Sequence, residues 1–413
     1  MFSVMIPLEP PGVGRASDRR AWRMLWLLAA AELLGMSPWF SGSAAGPALA
    51  ARWALTPTQV AGLTTAVQLG FVLGTAASAL LNLADVVPAR RLFAWSAVAA
   101  ALANGAGIVA PSYPALLLAR ACTGACLAGV YPPAMKMAAT WFVARRGLAV
   151  GAVVGALTVG KATPYLWAAV PEAPLAVVIG SASLAALVAA ALVAVGYVDG
   201  PHAFPARPFA WGRAAEVVRS RRWRLATAGY LGHMAELYSF WTWIPAFLAA
   251  SAVAARGDAA AGHAPWVGVL SFGTVAIGGL GCLWGGLVAD RIGRARLAII
   301  AMAVSGTCAL AIGLTFGRSP WLWAPLALCW GFFVIADSAQ FSVLVTESVP
   351  PHAVGTALTV QVCLGFLLTT VTIQAIPPLV AWVGWPVAFT LLAVGPAFGI
   401  VALRRLPGGS PTG

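Results

Sequence analysis

Apolar residues run in blocks of about twenty along nearly the whole chain, the length a helix needs to cross the hydrocarbon of a bilayer. Short clusters of arginine, aspartate, proline and glycine separate them. In order, the blocks predict membrane helices at about 22–50, 58–83, 92–110, 113–142, 148–170, 174–198, 223–250, 265–289, 297–316, 321–346, 353–380 and 384–403. Pro38 predicts a kink in the first. Residues 199–222 form the longest polar interior segment and read as a linker between two six-helix halves, 22–198 and 223–403. Residues 1–21 read as a polar lead without the pattern of a cleavable signal, and 404–413 as a short polar tail.

Composition supports the same class. Apolar residues make up 61% and charged residues 9% of 413 residues, which excludes an ordinary soluble globule. The formal charge is +13, yet its distribution points away from nucleic acid. In a twelve-span topology, Arg15, Arg19, Arg20, Arg23, Arg90, Arg91, Arg145, Arg146, the cluster Arg207–Arg224, Arg291, Arg294, Arg296, Arg404 and Arg405 fall on one side. Only Arg52, Arg256 and Arg318 fall on the other. That asymmetry orients a membrane protein with both termini in the cytoplasm. The six cysteines all lie in apolar blocks without metal-ligand spacing, so they read as packing residues. No cofactor and no metal are expected.

The two halves echo one another. Ala31-Glu32-Leu33 followed by Trp39 matches Ala235-Glu236-Leu237 followed by Trp241 and Trp243, and Leu83-Ala84-Asp85 matches Val288-Ala289-Asp290 at nearly the same offset. The stretch Gly285-Gly286-Leu287-Val288-Ala289-Asp290-Arg291-Ile292-Gly293-Arg294 resembles the major facilitator superfamily signature G-x-L-a-D-r-x-G-r. The first-half copy carries Pro88 where that signature has glycine. The resemblance implies an all-α membrane protein of twelve helices in two pseudo-symmetric six-helix bundles. It also implies a cytoplasmic latch at Asp85, Asp290, Arg291 and Arg294. Arg120-x-x-x-Gly124 is similar to the superfamily's second motif. Ala128-Gly129-Val130-Tyr131-Pro132-Pro133, with the glycine-spaced fifth helix, resembles the nitrate/nitrite porter and cyanate permease branch.

Ionisable groups at bilayer depth are costly and each needs a partner or a purpose. The candidates are Glu32, Arg120, Lys136, Lys161, His233, Glu236 and Asp337. Lys136 and Lys161 are the only lysines among 25 basic residues, and both sit in apolar helices. Lys161 lies roughly 21 Å into its helix at 1.5 Å per residue, beyond easy reach of the cytoplasmic side. It reads as a point charge for an anionic solute, or as the partner of Glu32. Lys136 is nearer a helix end, where snorkelling to the surface competes with function. Arg120 suits solute or proton coupling, or a structural bond to first-helix carbonyls. Tyr131, Tyr165 and Trp241 are candidate solute contacts. Glu32, Glu236, His233 and Asp337 are candidate proton carriers, with His233 one turn before Glu236 as a possible relay.

These residues predict a secondary active transporter of the inner membrane, working by alternating access on a small anionic or carboxylate-bearing solute with proton-coupled uptake. The alternative is proton-coupled export of a cationic or amphipathic compound. The expected partners are the solute, protons and the lipid bilayer, with a monomeric protein. An enzyme is not expected: the chain shows no nucleophile–base pair, metal cluster or phosphate loop.

Overall fold

The computed structural model describes residues 13–142, 146–170, 173–202 and 209–407. Among these, eleven helical stretches are long and apolar enough to cross a bilayer. We number them α1 (Arg19–Trp53), α2 (Pro57–Leu80), α3 (Ala89–Val109), α4 (Tyr113–Ala139), α5 (Gly147–Trp167), α6 (Leu175–Gly196), α7 (Arg221–Arg256), α8 (Pro265–Ile292), α9 (Arg294–Thr315) and α10 (Pro320–Thr346). The eleventh, Pro351–Arg404, contains Gly384 at φ 77°, a left-handed conformation that breaks an α-helix and favours glycine. It therefore counts as two spans, α11 (351–383) and α12 (385–404).

The helix pairings repeat between halves. In the first half α1 packs on α5 and α6, α4 on α2 and α3, and α3 on α6. In the second half α7 packs on α11 and α12, α10 on α8 and α9, and α9 on α12. Each pair has its counterpart six helices later, so the duplicated sequence gives two bundles of one design. Between bundles the principal contacts are α5 with α8 and α2 with α11, which are themselves a repeat-related pair.

Small residues let α5 and α8 meet at backbone distance. A Cβ added at Gly155 would sit 2.8 Å from the Gly279 carbonyl oxygen, and one at Gly151 would sit 3.0 Å from that of Cys282. Close approach of this kind replaces the hydrophobic drive that lipid cannot supply. The α2–α11 contact is sealed by aromatic rings, with Phe71 and Phe366 centroids 4.5 Å apart.

Two sequence expectations change. The polar lead is already helical from Val13, while 1–12 lie outside the described residues. The linker holds a nine-residue helix, Trp211–Arg219, and α7 begins at Arg221. The linker also ties the bundles together: Phe209 N donates to Asn82 Oδ1 of the α2–α3 turn, and Ala210 N to Thr356 Oγ1 of α11.

Gly155→Val is expected to overpack the α5–α8 contact and destabilise the protein by about 1–3 kcal/mol. Gly212→Ala, where an added Cβ meets nothing within 4 Å, is expected to be neutral. Thermal unfolding of the two variants beside the parent checks both.

Candidate functional site

The site begins where α1 breaks. Pro38 follows Ser37, and Ser37–Phe40 winds as a 3-10 turn. The break frees carbonyls that no water can reach. Arg120 of α4, 1% exposed, supplies the donors. Its Nη1 donates to Pro38 O at 3.0 Å, Ser41 Oγ at 3.1 Å and Asn104 Oδ1 at 2.6 Å, and its Nη2 to Trp39 O at 2.5 Å. Asn104 passes the network on to Ser183 and Ile179 O of α6. These hydrogen bonds hold the turn that carries Trp39, as in the structural alternative of bonds to first-helix carbonyls.

Trp39 meets Lys161. The Lys161 ammonium, 2% exposed, lies 3.8 Å from the Trp39 ring centroid, 5.0 Å from that of Tyr238 and 5.5 Å from that of Trp241. Nζ also donates to the Tyr238 hydroxyl at 2.7 Å. Three aromatic faces and one hydroxyl thus stabilise a charge buried in the bilayer zone. The arrangement spans both bundles, since Trp39 and Lys161 belong to the first and Tyr238 and Trp241 to the second. Tyr165 adds a second crossing, its hydroxyl donating to Trp241 O at 3.1 Å. The sequence singled out Lys161, Tyr165 and Trp241 and offered Tyr238 with Phe240 and Trp243 as helix-7 aromatics that could line a cavity, but it did not offer Trp39 as a site residue. The Pro38-Trp39-Phe40 run, an aromatic pair at a helix break, is the signal that could have found Trp39.

Glu32 is fully buried on α1, and neither carboxyl oxygen has a hydrogen-bond partner among the described residues. The expected alternative of a fixed Glu32–Lys161 ion pair is not formed; Lys161 points at the aromatic rings. Lys161 and Tyr131 nonetheless lie within electrostatic range of Glu32. The indole N–H groups of Trp39 and Trp241 are likewise buried without a partner. The centre of the molecule therefore holds one ammonium, one carboxyl and two indole donors whose hydrogen-bonding capacity is not used up by the protein.

The other candidates sit elsewhere. Lys136 lines a 270 Å³ cavity with 86–89 of the α2–α3 loop, Met137, Thr140 and Asp199, away from the aromatic cage. The His233–Glu236 relay is not formed. Glu236 accepts from Trp330 Nε1 and Ser305 Oγ, each at 2.8 Å. His233 Nδ1 lies 2.9 Å from Asp337 Oδ1 on α10 instead. Residues one helical turn apart share a face, but here each side chain has its own partners, Ser305 of α9 and Trp330 of α10 for Glu236 and Asp337 of α10 for His233.

At the latch, Arg294 bridges Asp290 at 3.5 Å and Glu347 at 3.2 Å. A Cβ on Gly147 would lie 3.7 Å from Asp290 Oδ2, so this carboxylate faces the start of α5 in the opposite bundle. A carboxylate at a helix N-terminus is electrostatically favoured. Arg291 is exposed. Asp85 lies in the helical turn Leu83–Val86, and its side chain is outside the described residues.

Arg120→Leu is expected to strand the Trp39 carbonyl and to leave Pro38 O and Asn104 Oδ1 dependent on Ser41 alone, at about 1–3 kcal/mol for a buried group stranded. The expected outcome is a large fall in thermal stability, with Arg120→Lys falling between the two. Differential scanning fluorimetry of the three proteins checks the order.

Three comparisons bear on identity. Residues 25–373 match the family model for the Major Facilitator Superfamily. The solved structure of a point mutant of the nucleoside transporter NupG is similar to this chain, at TM-score 0.70 and 13% identity, over 93% of this chain and 99% of that one. No curated protein matches the sequence. These matches support the superfamily and do not extend to the nitrate/nitrite or cyanate branch. The chain belongs to the Major Facilitator Superfamily and is a multi-pass membrane transporter rather than an enzyme.

Proposed function

We propose that this protein moves a small carboxylate-bearing solute across the inner membrane, with both termini in the cytoplasm, as a monomer and with proton-coupled uptake. One observation carries the reading. Lys161 and Glu32 are both buried, on helices that pack together, yet they are not bonded to each other. Lys161 rests on rings of the opposite bundle, and Glu32 has spare acceptors.

That arrangement leaves Lys161 three possible partners: the aromatic cage, Glu32 and a solute carboxylate. A protonated Glu32 does not compete for the ammonium, so an anionic solute can take it. A deprotonated Glu32 does compete, and releases the solute. Uptake of one proton with one anion follows from this rivalry. The indole N–H groups of Trp39 and Trp241 are positioned to donate to the same carboxylate. Arg120 acts by holding Trp39, and Lys136 serves the α2–α3 loop. Alternating access would open the α5–α8 and α2–α11 contacts at one end at a time, with Asp290 and Arg294 closing the cytoplasmic end and Asp85 its repeat-related counterpart.

A second reading rests on the cage itself. Three aromatic faces around an ammonium also suit a cationic or amphipathic solute, which would displace Lys161 and leave by proton exchange.

The two readings diverge under Lys161→Ala. Stabilisation of the purified protein by a ligand at about 100 times its dissociation constant amounts to roughly 2.7 kcal/mol. Under the carboxylate reading, organic anions stabilise the parent and fail to stabilise Lys161→Ala. Cations that stabilise both proteins, and Lys161→Ala more strongly, would establish the second reading instead. In proteoliposomes, Glu32→Gln is expected to bind the anion without proton uptake, read as loss of the internal pH change that accompanies entry in the parent.

A further inference from the structure

The linker helix, Trp211–Arg219, has two faces of opposite character. Arg213, Glu216 and Val217 turn to the protein. Arg213 Nη1 donates to His352 O at the start of α11, Glu216 Oε1 lies 3.2 Å from His352 Nε2, and Val217 is buried. Trp211, Ala215 and Val218, spaced i, i+4 and i+7, turn outward, with Trp211 70% and Val218 46% exposed. The helix stands at the membrane boundary, because Ser220 ends it and caps α7, a span that starts at Arg221. The outward apolar surface continues onto the first bundle. Phe209, whose ring lies 5.1 Å from that of Trp211, donates its backbone N–H to Asn82, and Leu81 beside Asn82 is 64% exposed. Residues 211–224 carry five arginines against one glutamate. Arg224 Nη1 folds back onto the Val218 and Arg219 carbonyls and closes the end of the helix. Arg219 and Arg221 are exposed, and among the described residues neither guanidinium has a hydrogen-bond or ion-pair partner.

We infer that the linker helix is a lipid-binding element of this protein. Arg219 and Arg221 take the phosphate groups of anionic phospholipids, while Trp211, Ala215 and Val218 sink into the boundary between headgroups and acyl chains. An indole favours that boundary, where its ring meets apolar chains and its N–H meets water. A guanidinium forks onto a phosphate through paired donors. The strength of such an attachment scales with the apolar area buried plus the attraction to anionic lipid, and this helix offers both on one side. Charge selects the lipid, since a zwitterionic headgroup has no net charge to answer the two free guanidinium groups. The consequence reaches both bundles. The linker is bonded to Asn82 of the first bundle and to His352 and Thr356 of the second, so bound lipid steadies the strap that joins them at this end.

Amide hydrogen exchange on single protein copies in nanodiscs tests this with no solute present, so the result stands apart from the proposed substrate. The discs are phosphatidylcholine, with or without phosphatidylglycerol. Peptides covering 211–219 should exchange about tenfold more slowly when phosphatidylglycerol is present, and high salt should remove most of the difference. The double variant Arg219→Gln/Arg221→Gln should lose the lipid dependence while 265–292 and 294–315 stay as protected as in the parent. Trp211→Ser should speed exchange of the same peptides in both lipids. Inorganic phosphate added to phosphatidylcholine discs should protect nothing. Equal exchange of 211–219 in the two lipids overturns the proposal. So does a lipid effect that survives the double substitution, or protection by inorganic phosphate alone. Protection that appears only when a disc holds two copies also overturns it, and makes the stripe an interface between copies. Should the variants fail to fold, the parent's response to the two lipids still decides.

Discussion

A helix that breaks inside a bilayer leaves carbonyl groups without donors, and the hydrocarbon cannot supply them. In this transporter α1 breaks at Pro38, and the Arg120 guanidinium takes up the freed oxygens. Much of the centre depends on that bond set. It fixes the 3-10 turn, the turn aims Trp39, and Trp39 forms the nearest wall of the cage around Lys161. Asn104 and Ser41 extend the same network into α3 and α1, so four elements of the N-terminal bundle share one anchor. An arginine suits this task because its planar fork donates in several directions at once.

The contact between bundles has a different character. Glycines on α5 and α8 allow backbones to touch over a long stretch, and rings seal α2 against α11. Among the described residues few polar contacts cross the centre: Lys161 to Tyr238, Tyr165 to Trp241 O and Thr158 Oγ1 with Cys282 Sγ. Toward the two ends, Gln374 lies 3.1 Å from Thr65, and the linker reaches both Asn82 and Thr356. Van der Waals surfaces with a few exchangeable hydrogen bonds can slide and separate without stranding many buried polar groups. That is the physical requirement for two bundles that must rock.

Duplication also gave the two halves equivalent buried glutamates, and packing has since separated them. Glu236 is satisfied by an indole and a hydroxyl, so it fastens α7 to α9 and α10. Glu32 has no such donors and retains its full accepting capacity. One sequence pattern thus supplies a structural acid in one bundle and an available acid in the other. The difference lies in whether a neighbouring helix presents a donor.

The sequence by itself determined the class, the number of spans and the two-half design, because hydrophobic length and loop charge act locally and add along the chain. It marked Lys161 and Glu32 as exceptional, since any charge in an apolar block must answer for its solvation. It also marked Asp290 and Arg294 through the resemblance of their loop to the superfamily signature, and the turn at Gly293 between α8 and α9 brings them to 3.5 Å. Partnership between helices was decided only in the tertiary structure. His233 and Glu236 share a turn, yet they take different partners, Asp337 for the one and Ser305 and Trp330 for the other. Lys161 finds aromatic faces rather than Glu32, because the break at Pro38 turns Trp39 toward it. Lys136, similar in sequence setting, ends beside the α2–α3 loop. Which partner a buried polar group meets depends on helix rotation and tilt, and those are set by the packing of all twelve spans together.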